Sequence, residues 1–241
     1  MDVMLYIAVF FPVVAALAGY LAGRRSRKLR DCLAVAATGL EFGLFLYLLV
    51  SHLISGSRVE LAYLPGICGM GLAFKLDGFR VLYGTIAAFM WFMSTLFSGE
   101  YFGHYRNRNR YYLFLLLTLG ATEGVFLSAD FYTTFLFFEM MSFTSYVWVA
   151  HDERRESLRA AGTYLAVAVI GGLVMLMGIF LLYSMTGTLR FDELIGLVGR
   201  VQEVDQKKLW AAGLCMLFGF GAKAGAFPLH IWLPKAHPVA P

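Results

Sequence analysis

Charge is scarce in this chain. Asp, Glu, Lys and Arg together make up 15% of its 241 residues, against roughly 25% in an ordinary soluble domain. Beside 59% of residues from the set AVILMFWYC, that shortfall excludes a disordered regulator, which needs low hydrophobicity and high charge. It also excludes a soluble globular enzyme, which would have to expose large apolar patches. Cysteine is scarce too. Cys32, Cys68 and Cys215 are far apart and form no CxxC pair, so a disulfide-stapled secreted domain, a zinc site and an iron–sulfur cluster all lack the ligand spacing they require. No GxGxxG follows a strand pattern and no Walker A sequence is present. The expectation is a chain with no metal, no redox cofactor of its own and no nucleotide hydrolysis.

What is present is a series of long apolar runs, with a mean hydropathy of +0.68. A transmembrane helix needs about 20 mostly apolar residues. The runs at 4–22, 32–54, 78–97, 111–129, 131–150, 160–184 and 209–227 qualify. The predicted fold class is an all-α polytopic membrane protein with about seven transmembrane helices. A cleaved signal peptide would carry its positive charges before the apolar core; here Arg24, Arg25, Arg27, Lys28 and Arg30 follow it. The connection 55–75 holds Pro65, and its segment 58–64 has the look of a short hairpin strand. Residues 128–131 are a hinge short enough for a tight helical hairpin. The polar stretch 186–208 has room for a short amphipathic helix at 191–201.

The net charge of +4 does not point to nucleic acid, because the basic residues cluster between apolar runs as the positive-inside rule describes. Arg106, Arg108 and Arg110 follow the third run, and Arg154, Arg155 and Arg159 follow the fifth; the short connection after the fourth has none. This asymmetry predicts an N-terminus outside a cytoplasmic or inner cell membrane, with the odd-numbered connections inside.

Ionisable groups within the runs are costly, at least about 2.5–3.5 kcal/mol each at mid-bilayer on insertion scales. Glu139 lies roughly 12 Å along the fifth run from Phe131 at 1.5 Å per residue, with Ser142 and Tyr146 on the same helical face. A carboxyl that only hydrogen-bonds a neighbouring helix is its competing reading. Lys223 stands among Gly213, Gly219, Gly221 and Gly225, with Pro228 beyond. Gly221, Gly225 and Pro228 predict a hinge in the seventh helix, and interrupted helices at mid-depth build ion sites. A snorkelling lysine near a helix end is the alternative. Glu41 and Glu123 are also intramembrane by this count, and each fits either a proton path or a local polar contact. His230, Lys235 and His237 follow the break; histidine suits proton relay, while an interfacial belt around Trp232 explains the same residues without one. The segment HDERRESLRAAG reads as a solvated helix entrance with acids near the N-terminus.

The segments GVFLSADFYTTFLFFEMMSFTSYVWVA and GFGAKAGAFPLHIWLPKAHPVAP, with FKLDGFRVLY and LLYSMTGTL, resemble the proton-conducting antiporter family. Its members are the antiporter-like subunits of respiratory complex I, membrane-bound hydrogenases and formate hydrogenlyases, and Mrp-type cation/proton antiporters. The resemblance runs from about Phe74 to Pro241. It implies the N-terminal part of an inverted-repeat bundle with a broken seventh helix. Residues 1–76 would be an N-terminal two-helix segment with an extracytoplasmic loop, and 77–241 the start of the translocating domain. It further implies that Glu139 and Lys223 form the pair that governs proton uptake, and that His230 and His237 lead protons onward. Asp77 and Asp130 match acids at helix entrances, which read as caps. Glu123 departs from the family pattern, in which an apolar or small residue is expected.

The implied function is proton translocation as a subunit of a redox-driven complex of the NADH-quinone oxidoreductase or hydrogenase type, with the electron chemistry on other membrane subunits. The alternatives are an Mrp-type Na+/H+ antiporter subunit, with Na+ as the second coupled ion, and a non-conducting fragment or structural subunit. Because the sequence stops at Pro241, where the family begins an eighth helix, a longer parent chain or a completing partner is expected.

Overall fold

The computed structural model describes residues 2–55, 60–66, 70–103 and 107–240. Cys68, Arg106, Pro241 and the first part of the expected strand at 58–64 lie outside these. The chain forms two compact units, one running to Ser128 and the other from Ala129.

The first unit holds α1 (Asp2–Gly23), α2 (Arg27–Ser55), β1 (Glu60–Leu64), β2 (Leu72–Leu76), α3 (Gly78–Tyr101) and α4 (Arg108–Leu127). The turn after α1 is closed by the Arg24 and Arg25 N–H groups, which donate to the carbonyls of Leu21 and Ala22. Ser26 Oγ then accepts from Leu29 N at 3.3 Å and starts α2, the usual service of a serine at a helix N-terminus. Between bilayer-embedded helices apolar contact gains little over lipid, so close approach of small residues matters more. Gly120 of α4 shows this: a Cβ there would stand 2.9 Å from the Val9 carbonyl oxygen of α1. Ala16, Ala37 and Leu116 form a buried cluster of α1, α2 and α4.

The two strands pair antiparallel, Glu60 opposite Leu76 and Leu64 opposite Leu72. Phe74 is fully buried and meets the rings of Tyr6 and Phe10 edge-on. Asp77 caps α3, accepting from Arg80 N at 3.0 Å, and pairs with the Arg80 guanidinium. Arg80 Nε reaches the Ser128 carbonyl at 3.2 Å. The segment FKLDGFRVLY is thus a clip that ties the hairpin and the start of α3 to the end of α4.

The second unit holds α5 (Phe131–Val149), α6 (Arg155–Thr186), α7 (Phe191–Val204), α8 (Gln206–Ala224), a 3-10 turn (Leu229–Trp232) and the short α9 (Leu233–Ala236). Asp130 caps α5, its carboxylate accepting from Thr133 N at 2.6 Å and Thr133 Oγ1 at 3.1 Å. Gly187, at φ +71, ends α6. The chain then returns so that Leu189 O accepts from Phe131 N and Phe191 N donates to Ala129 O. α6 and α8 pack through bare backbone: a Cβ on Gly178 would lie 2.7 Å from Ala212 O, and one on Gly219 2.7 Å from Gly171 O. Outward-facing Leu173, Met177, Phe180, Trp210 and Leu217 stay exposed, as a lipid-facing surface requires.

Among the described residues, six helical segments are long and apolar enough to cross a membrane: α1, α2, α3, α4, α6 and α8 with its continuation. The fifth run is the exception. α5 has 19 residues and spans about 28 Å at 1.5 Å per residue, but Thr133, Thr134, Glu139, Ser142, Thr144 and Ser145 dilute it. Its hydroxyls bond back to its own turns, Thr134 Oγ1 to Asp130 O at 2.8 Å and Ser142 Oγ to Phe138 O at 3.0 Å. The seven runs become six apolar spans and a seventh helix of spanning length, α5, whose apolar surface is interrupted by hydroxyls.

Candidate functional site

The second unit brings Lys223 of α8 against α5 and α6. Its ammonium donates to Ser142 Oγ at 2.8 Å and to Tyr164 Oη at 2.7 Å. Tyr164 Oη is in turn 2.6 Å from Ser145 Oγ, and Ser145 Oγ donates to Met141 O at 2.6 Å. With the tyrosine as donor to Ser145, every step has a consistent direction: ammonium, phenol, hydroxyl, backbone carbonyl. A second branch runs from Lys223 through Ser142 to Phe138 O. Nζ also lies 5.7 Å and 5.2 Å from the ring centroids of Phe138 and Tyr164, which favours a cation there.

Glu139 sits beside this network without joining it. Lys223 spends two donors on hydroxyls, and Glu139 Oε1 is buried with no hydrogen-bond partner. The two charges nevertheless act on each other through space. The carboxylate rests on Gly172 of α6, where a Cβ would stand 2.1 Å from Oε1. Glycine at this position leaves the space that the carboxylate occupies.

The break in α8 has local causes. Gly225 adopts φ +68, a conformation that L side chains avoid. Gly221 O accepts from both Gly225 N and Ala226 N, a glycine-terminated C-cap that satisfies a carbonyl left by the ending helix. Ala222 O takes the indole N–H of Trp232 at 2.8 Å. The Trp232 ring lies 4.9 Å from that of Tyr164, so the segment after the break is pinned to the lysine's own partner. Pro228 precedes the 3-10 turn.

The remaining sequence candidates are not gathered here. His230 follows the break with Nδ1 buried and unpartnered, its ring 5.5 Å from that of Phe227. His237 ends α9 and is exposed. Glu41 and Glu123 belong to the first unit. Tyr146, expected on the stripe with Glu139, packs instead on Val149, Ala160, Ala161 and Tyr164. Tyr164 was missed from the sequence, where it reads as one more aromatic in an apolar run. A buried tyrosine hydroxyl needs a partner, and that rule was the only available signal.

Residues 128–241 match the family described as NADH:quinone oxidoreductase/Mrp antiporter, transmembrane. The chain is 31% identical to a putative antiporter subunit, mnhD2, of Staphylococcus saprophyticus over 99% of this chain and 47% of that protein. It is 32% identical to the Na(+)/H(+) antiporter subunit A1 of Staphylococcus haemolyticus over 97% of this chain and 29% of that protein. The chain therefore spans about half the length of the first of these relatives and less of the second. Its fold is that of a chain in the membrane-bound sulfane sulfur reductase, an archaeal respiratory membrane complex (TM-score 0.89, 22% identity, 100% of this chain and 48% of that one). It is equally that of a chain in respiratory complex I from Thermus thermophilus (0.81, 24%, 98% and 47%) and of one in the Mrp complex from Dietzia sp. DQ12-45-1b (0.82, 22%, 99% and 44%). The protein is a multi-pass integral membrane protein with an antiporter-like fold.

Proposed function

We propose, for a chain whose residues 128–241 match this antiporter family, that it moves protons across a membrane as one part of a larger assembly, with Lys223 as the group that gains and loses the proton. The observation that carries this reading is the lysine itself: an ammonium at a helix break, held by Ser142 and Tyr164, with Glu139 in electrostatic reach but not bonded. A lysine gripped by hydroxyls has acceptors when charged and finds a donor in Tyr164 when neutral. Swinging the Glu139 carboxylate toward or away from it changes which of those states is favoured. His230 and His237 extend the route past the break in this reading, and Gly221, Gly225 and Pro228 keep the backbone open there. Residues 77–241 then form the start of the translocating part, and residues 1–76 a two-helix segment beside it. The N-terminus lies outside on the distribution of basic residues.

The partners are other membrane subunits. The named relatives are antiporter subunits, which supports an Mrp-type assembly exchanging Na+ for H+; a redox-driven complex is the other assembly that the same pair would serve. The test is proton uptake into vesicles holding the complete assembly, with and without Na+. Lys223→Ala should abolish uptake, a loss of roughly 100-fold or more for a group that transfers protons directly. Uptake that survives Lys223→Ala would leave a structural role only, and uptake that ignores Na+ but follows an electron donor would decide for the redox-driven assembly.

A further inference from the structure

The first unit contains a second set of buried ionisable groups, two carboxyls. Glu41 of α2 and Glu123 of α4 are both fully enclosed, at 0% exposure. All four of their carboxyl oxygens are buried with no hydrogen-bond partner. The two act on each other through space. Their depths agree: α2 and α4 start at the same end, where Arg108 and Arg30 both hold Asp31, at 3.0 and 2.7 Å. From the helix starts, Glu41 and Glu123 lie roughly 21–22 Å along at 1.5 Å per residue. Beside Glu123 the packing is shaped for a carboxyl. A Cβ on Gly84 of α3 would stand 2.9 Å from Glu123 Oε2 and 2.3 Å from Phe45 Cε1, and Phe45 is one turn from Glu41.

Two naked carboxylates in this position would each carry a desolvation penalty of several kcal/mol and would repel each other. The ion pairs of the unit are committed elsewhere, Arg30 and Arg108 to Asp31 and Arg80 to Asp77. The nearby hydroxyls are also committed: Thr38 donates to Ala34 O and Val35 O, and Thr85 to Val81 O. A metal ion would need about six oxygen ligands, and among the described residues no group of three or more His, Cys, Asp or Glu exists to hold one. A proton needs only the two carboxyls. Given to one, it removes a charge and with it the repulsion between the two.

We infer that Glu41 and Glu123 form a second proton site, a carboxyl pair that shares a proton inside the first unit. It uses none of the residues of the Lys223 network and does not rest on the reading proposed for it. The shared proton makes the two residues a single titrating unit.

Infrared spectroscopy of the full chain in lipid nanodiscs at neutral pH tests this, with glutamate isotope-labelled. The expected result is a protonated-carboxyl C=O band that shifts in D2O, disappears in the Glu41→Gln/Glu123→Gln double variant, and moves in frequency when Glu41 alone is replaced. Glu139→Gln should leave that band in place. Absence of the band from the unmodified protein, or a Glu123 band indifferent to Glu41→Gln, would overturn the inference. Removal of the band by added Na+ would replace the proton with a cation site. Should a Glu41 or Glu123 variant fail to fold, the D2O shift and the Na+ titration are read in the Glu139→Gln chain, where a missing band overturns the inference.

Discussion

The two units solve the same problem in opposite ways. In the first, Glu41 and Glu123 are fully enclosed, Glu123 beside Phe45 and Gly84, and their carboxyl oxygens have no hydrogen-bond partner among the described residues. In the second, Lys223 is only half-buried and is surrounded by acceptors, Ser142 and Tyr164 directly and Ser145 behind them. A closed site with like charges has one economical state, because ionising both groups is costly. A site with a lysine, hydroxyls and a carboxylate standing off has several states of comparable cost. The difference teaches that buried charge alone does not mark a transfer site; the surrounding donors and acceptors decide whether a proton rests or moves.

Substitutions can break or sharpen this contrast. The largest effect belongs to Lys223, as set out above; the corresponding change in the first unit, Glu123→Gln, should leave a folded protein and cost far less proton uptake in the same vesicle assay. Next is Tyr164→Phe. It removes the hydroxyl that links Lys223 to Ser145 and should slow uptake by roughly tenfold, the loss expected for a group that positions a proton-transfer residue rather than replacing it. A shift in the pH profile of uptake would separate that role from a packing role.

Two glycines in α6 give a sharper pair. Gly178→Ala puts a methyl 2.7 Å from the backbone oxygen of Ala212, which cannot yield cheaply. A loss of about 1–3 kcal/mol in detergent unfolding is expected. Gly172→Ala meets the far end of the Glu139 side chain, which can turn away. Stability should change little, while proton uptake alters because the carboxylate has moved. Equal destabilisation by both would mean that Glu139 is fixed in place.

The smaller effects lie at helix ends. Asp130→Ala removes two hydrogen bonds at the start of α5 and should cost about 1 kcal/mol, the usual value of an N-terminal cap. At α8, hydrogen bonds from the Lys208 side chain and N–H hold the Asp205 carboxyl below the usual carboxylate range. A lowered folded-state value means that its contribution is present above about pH 3.9 and is lost as pH falls through that lowered value. Asp205→Asn should therefore flatten the acid limb of the unfolding curve and leave neutral pH nearly unchanged, since the group is exposed.

The helices were legible because apolar run length is a strong signal, and their starts fell where Asp77 and Asp130 provide caps. The helix break was legible from Gly225 and Pro228 for the same local reason. α5 was legible as a helix of spanning length, and the hydroxyls that interrupt its apolar surface bond back to its own turns. The lysine's surroundings were only half legible: Ser142 shares a helical face with Glu139, but Tyr164 is 59 residues from Lys223 in sequence, and no spacing rule connects them. The second strand of the hairpin, Leu72–Leu76, was hidden in what reads as an irregular connection, since its pairing depends on a partner across a Gly- and Pro-containing turn.

Gly172 has a consequence for speed. Because Glu139 rests on a stretch of α6 with no side chain, its carboxylate can change position by rotation about its own bonds. Rotamer changes take picoseconds to nanoseconds where nothing obstructs them, whereas sliding packed helices takes microseconds to milliseconds. The closely meshed α6–α8 backbones at Gly171, Gly178 and Gly219 would make such sliding slow. If Glu139 gates proton uptake as proposed, a gate built on one side chain can keep pace with the protons it meets while the frame around it stays still.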